Sequence, residues 1–279
     1  MKHRPKAVIF MLISALAFAI MASFVKLAGD IPIFEKVFVR NFISFAVALI
    51  VIVKSKTRLF GEKENRKYLI LRSLLGLTGV ILYFYAINNL YLADSSMLNK
   101  ISPFFVTLFA WIFLMEKLSK IRSAALIVIF ISALLIIKPR FDLSIIPALS
   151  GFLSAMFAGA AYTVVRFLGK RENPETIVFY FSLVSVLVMF PLMMMNFQKP
   201  DPVQLLYLFG TGIFAAVGQF GLTLAYKFEK ASKIAVYNYT NIVFSVILGF
   251  MLWGEIPDIW SIIGGLILIA VSVGIYIFN

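Results

Sequence analysis

The chain contains no cysteine and a single histidine, His3, in its basic amino-terminal tail. Without thiols it has no disulfides, thiolate metal sites or cysteine nucleophiles, and one histidine excludes a histidine-based metal centre or triad. Charge is scarce as well: 14% of residues carry it, and 13 acidic residues face 26 basic ones, for a net charge of +13. The acidic residues avoid the apolar runs, with Glu35, Asp94, Glu116, Glu175 and Glu255 all at run ends. No run holds paired acids, so nothing points to an enzyme. The polar stretches between runs are too short for a basic binding domain, so no nucleic acid is expected as a partner.

What is abundant is apolar sequence. Hydrophobic residues make up 62% of 279 positions, more than a soluble core of this size could bury, so an integral membrane protein is expected. Runs between charged or proline-marked breaks predict ten helices, at about 8–28, 36–53, 68–87, 95–115, 121–137, 146–168, 176–195, 205–226, 234–253 and 259–278. Helices satisfy their own backbone in lipid, and the runs lack the alternation of a barrel. The first run follows a basic tail in signal-peptide order, but its length and its later repetition read as a retained helix.

Lys and Arg set the expected orientation. With the amino terminus inside, Lys2, Arg4, Lys6, the seven cations from Lys54 to Arg72, Lys117, Lys120, Arg122, Arg166, Lys170, Arg171, Lys227, Lys230 and Lys233 are cytoplasmic. Lys26, Lys36, Lys138, Arg140 and Lys199 fall outside, and Arg40 and Lys100 fall within spans. Both termini are then cytoplasmic.

The chain also repeats itself. "SALAFAIMASFVK" (14–26) matches "SAMFAGAAYTVVR" (154–166), and Gly79, Ala86, Asn99 and Glu116 align with Gly218, Ala225, Asn238 and Glu255. Two five-helix halves, 1–140 and 141–279, are expected. An odd helix number inverts the second half, which is the plan of alternating-access transporters.

"ISPFFVTLFAWIFLMEKLS" (101–119) and "TNIVFSVILGFMLWGEIPD" (240–258) close the fourth helix of each half. An apolar helix often opened by Pro and ended by Gly-Glu, met twice at this spacing, resembles the EamA type of the drug/metabolite transporter superfamily. Met115 stands for Gly in the first copy and Ile242 for Pro in the second. The resemblance implies a secondary carrier or exchanger of small metabolites in a bacterial cytoplasmic membrane, with a cavity between two bundles. It names no substrate.

Intramembrane cations point to the site. Arg40 and Lys100 lie about five residues into the second and fourth helices, roughly 8 Å deep at ~1.5 Å per residue. Either they snorkel, with Arg40 pairing Glu35, or they face a cavity that Pro103 opens by disturbing the fourth helix. In the second case they hold an anionic or zwitterionic metabolite such as an amino acid, a nucleotide-like or a phosphorylated compound. Tyr83, Asn99, Tyr162, Gln219, Tyr237, Asn238, Tyr239 and Asn241 complete the candidate substrate site. The aromatics also suit packing, and the amides also suit helix-to-helix hydrogen bonds. An exporter of drugs or other amphipathic compounds, a lipid scramblase and a channel are the rival functions. A small molecule and the bilayer are the expected partners, a monomer and a homodimer both fit, and no cofactor is expected.

Overall fold

A computed structural model describes residues 4–55, 57–115, 120–138, 143–168, 171–228 and 235–278. Lys2, His3, Glu116, Lys117, Arg140, Lys170, Lys230 and Lys233 lie outside the described residues.

Every regular element among the described residues is helical, with no strand among them. Among the described residues eleven α-helices follow in order: α1 (Arg4–Leu27), α2 (Ile33–Ser55), α3 (Arg66–Asn89), α4 (Leu92–Asn99), α5 (Ser102–Leu114), α6 (Lys120–Ile137), α7 (Ile146–Leu168), α8 (Pro174–Met195), α9 (Pro202–Phe228), α10 (Thr240–Trp253) and α11 (Ile259–Phe278). Short 3-10 turns, Lys63–Asn65, Leu143–Ile145 and Ala235–Tyr239, lead into α3, α7 and α10. Seven segments are long and apolar enough to cross a membrane, with α4 and α5 counted as one, and Ser123–Ile137 and Ile259–Val271 are shorter apolar helices. This is a multi-pass helical membrane protein.

The helices pack in matched pairs: α1 on α9 and α3 on α7, α1 on α10 and α5 on α7, with α2 on α8 and α6 on α11. Small residues let these helices approach. The Ser14 hydroxyl donates to the Gly218 carbonyl at 2.6 Å and so joins α1 to α9. Apolar side chains from α1, α2, α3, α8 and α9 form one packed cluster around Phe84, Leu77 and Met189. Another, around Leu98, Ile101 and Leu268, joins α4 to α7, α10 and α11.

The expected fourth helix is two helices. The Lys100 amide still donates to Ser96 at 3.0 Å, but Ile101 donates to Leu98 at 3.1 Å, a tighter turn, before α5 starts at Ser102. Pro103 sits in the first turn of α5, and its missing N–H leaves the Asn99 carbonyl without its usual donor four residues on. Opposite it, α10 also begins discontinuously, from the 3-10 turn Ala235–Tyr239.

Earlier helix starts revise the charge map. Glu35 and Lys36 belong to the first turn of α2, and Asp94 to that of α4, and all three are buried. Arg72, grouped above with the cytoplasmic loop, sits in the second turn of α3 at 6% exposure. The α5 and α10 ends agree with the sequence correspondence: Met115 and Gly254 both adopt left-handed backbone, φ 54° and 66°.

Candidate functional site

Two polar groupings lie inside the bundle. The first surrounds Phe181 on α8. Arg72 on α3 places its guanidinium carbon 4.1 Å from the ring centroid, and Arg40 on α2 places its own at 5.5 Å. Each arginine is 6% exposed. Arg40 Nη1 donates to Asn41 Oδ1 at 2.6 Å, while Arg40 Nε and Arg72 Nε and Nη1 have no partner among the described residues. The buried hydroxyls of Ser44, Ser182 and Ser185 are equally unpartnered. Tyr162 on α7, 41% exposed, lies within electrostatic range of both guanidiniums. No carboxylate pairs with either arginine among the described residues. Stacking on an aromatic face offsets ~2 kcal/mol for a desolvated cation, less than the several kcal/mol that burying an ion costs.

The second grouping lies at the break between α4 and α5. Lys100 Nζ donates to Asn238 Oδ1 at 3.2 Å, so the break meets the 3-10 entry to α10. Beside it Asn99 donates to Ser154 Oγ at 3.4 Å. Tyr83, Ser96 and Ser245 form a chain of hydroxyls at 3.4 and 2.8 Å. Asn241 is committed to packing, donating to the Ala15 carbonyl at 2.9 Å, and the Tyr237 carbonyl accepts from Thr240 at 2.7 Å. Tyr239 is buried and Gln219 half-buried, and both are partnered.

The structure thus joins Lys100 to Asn238 and Arg40 to Arg72, with Tyr162 near the latter pair. No hydrogen bond or ring contact links Arg40 to Lys100 among the described residues. Arg40 does not pair with Glu35 either, whose carboxylate accepts the Gln198 amide at 3.3 Å. Arg72 is the residue that sequence reasoning missed. Its position five residues inside the expected third span was the available signal.

The face carrying the α1–α2 turn is closed by charge. Lys26 pairs with Glu255 and donates to the Leu90 carbonyl at 2.8 Å, while Glu255 accepts the Leu92 amide at 2.7 Å. Lys138 pairs with Asp258 on the same face. Burial acts to raise the Asp258 carboxyl, but Lys138 and the Ser261 and Trp260 amides together hold it below the ordinary carboxylate range.

Comparison with known proteins adds lineage to this geometry. The EamA-like transporter family matches twice, at residues 5–138 and 145–277. The pseudopaline exporter CntI of Pseudomonas aeruginosa is 34% identical over 271 residues, covering 96% of this chain and 95% of its own. Human solute carrier family 35 member G1 is 28% identical over 281 residues, covering 95% of this chain and 77% of its own. A solved crystal structure shares the fold at a TM-score of 0.69 and 16% identity, over 98% of this chain and 96% of that one. Matched along both halves of its length, the chain belongs to the EamA-like transporter family.

Proposed function

We propose that this transporter carries a small anionic or zwitterionic metabolite by alternating access. It does so with ten membrane crossings arranged as two inverted halves, 1–140 and 141–279, and with both termini cytoplasmic. The observation that carries this reading is the meeting of Lys100, at a broken helix, with Asn238, at a second irregular helix start. Irregular backbone at membrane depth is tolerated where it lines a cavity, and discontinuous helices facing one another form substrate sites in carriers of inverted-repeat design. The matched helix pairs support the inverted arrangement, since exchanging the two halves turns each pair that joins them into another such pair or into itself.

The buried polar interior supports a charged cargo. Lys100, Arg40 and Arg72 bring cations, while the acids on the α1–α2 face are already engaged by Lys26 and Lys138. An amino acid, a nucleotide-like molecule or a phosphorylated compound suits such a lining better than an organic cation. The relative named as an exporter favours outward movement.

Purified protein screened by thermal shift against these classes gives the ligand, because binding to the folded state alone raises apparent stability. Flux of that ligand into proteoliposomes, saturable and competed by unlabelled ligand, is the expected result. Unsaturable flux, or movement of labelled lipid alone, would replace the carrier with a channel or scramblase.

A further inference from the structure

We infer that Arg40 and Arg72, sharing the ring of Phe181, form the seat for a dianionic group: a phosphate or a pair of carboxylates on one molecule. The inference rests on the carrier reading for its setting and adds the charge of the cargo.

Two observations point to a ligand. Both guanidiniums are more than nine-tenths buried, so neither reaches headgroups, and three of their nitrogens find no acceptor among the described residues. The helices that carry Arg40 and Phe181 also hold buried hydroxyls, Ser44 on α2 and Ser182 and Ser185 on α8, that make no hydrogen bond among the described residues. On α2, Ser44 lies one helical turn from Arg40; on α8, Ser185 lies one turn from Phe181. Three guanidinium nitrogens from α2 and α3 therefore meet at the Phe181 ring of α8 without an acceptor, and buried donors without acceptors are uncommon in native proteins.

Charge specifies the occupant. A neutral molecule would leave two like charges beside one ring, and a single carboxylate would neutralise one. A dianion neutralises both, with guanidinium forks suited to bidentate oxygens. Glycine on α3 lets the ring and the guanidinium come together: a Cβ on Gly76 would lie 3.1 Å from the Phe181 ring and 3.4 Å from Arg72 Nη1.

The test uses the full chain in detergent and in proteoliposomes, with inorganic phosphate and succinate as dianionic probes and acetate as the monoanion. Phosphate or succinate is expected to bind at least an order of magnitude more tightly than acetate. Arg72→Gln and Arg40→Gln should each weaken that binding on the order of tenfold or more, with Arg72→Lys intermediate. The unliganded Arg72→Gln protein should melt at the same or a higher temperature, because it loses an uncompensated buried charge. A structural arginine predicts a lower melting temperature, and that result would overturn the assignment. Equal binding of acetate and both dianions, or unchanged affinity in Arg72→Gln, would do the same. Preference between phosphate and succinate identifies the group within the class. Saturable flux untouched by Arg72→Gln leaves the carrier standing and removes this seat, whereas Arg72-dependent binding without flux does the reverse.

Discussion

Lys26 and Glu255, 229 positions apart, form an ion pair that fastens the end of α1 to the turn after α10. Glu255 also holds the first amide of α4, so one carboxylate gathers three segments at one face. Glu255→Gln keeps a hydrogen-bonding side chain but removes the charge. It is expected to release that face by about 1.4 kcal/mol, or roughly tenfold in population. A chain without cysteine offers a clean background for the measurement. Cysteine placed at buried Ser95 should react with a water-soluble maleimide several times faster in the Glu255→Gln background, and equal rates would show that the pair is not a latch.

Met115 and Gly254 end α5 and α10 in the same left-handed conformation, but only one of them is glycine. Met115 is 84% exposed and so gives up little packing. Met115→Gly should therefore stabilise the protein by about 1 kcal/mol. A Cβ on Gly254 would meet nothing within 4 Å, so Gly254→Ala isolates the conformational cost, about 1 kcal/mol in the opposite direction. Opposite shifts in melting temperature for the two variants are the expected outcome.

Lys100→Met removes the donor that meets Asn238 and leaves a side chain of similar length. Binding of an anionic ligand is expected to fall on the order of tenfold or more, with the protein still folded by size-exclusion chromatography. Asn238→Ala should cost less, about 1 kcal/mol, because it removes the partner that orients the ammonium and leaves the charge in place. A ligand bound equally by both variants and the parent would show that the break is structural only.

Asp258 gives a pH signature. Its folded carboxyl is held below its ordinary value, so its contribution is present above the unfolded pKa near ~4 and is lost as pH falls through the folded value. The side chain is 46% exposed, which limits the charge effect to a few tenths of a kcal/mol. Asp258 also caps α11, accepting the Trp260 amide at 2.9 Å and the Ser261 amide at 3.2 Å. Asp258→Asn keeps a cap and loses the charge; its stability deficit should be flat above about pH 5 and vanish below the folded pKa. Asp258→Ala should cost about 1 kcal/mol more at every pH.

The helices were legible because apolar runs and their breaks carry the signal in a membrane chain. Pro103 announced the broken fourth helix, although the break fell at Lys100 and Ile101, before the proline. Lys100 and Asn238 were both legible, one as a cation in an apolar run and the other through repetition. Their contact was not, because it depends on how α4 meets the entry to α10. The burial of Arg72 and Lys36 was not legible for one reason: each stands within two turns of a helix start, where sequence cannot say whether a long basic side chain turns to the surface or into the bundle. Side-chain direction, set by packing against α8 and α1, decides that.

Lys36 shows what this direction can build. Wholly buried, it donates to the Val25 and Gly29 carbonyls at the close of α1 and to Asn88 Oδ1 on α3, at 2.9, 2.7 and 3.1 Å. The ammonium stands where the negative end of the α1 dipole needs a cation. It clasps the two arms of the α1–α2 hairpin at their shared corner. Bending or sliding between those arms would break the two charge-assisted bonds to Val25 and Gly29, which stiffens the hairpin at its corner, while the third bond ties that corner to α3.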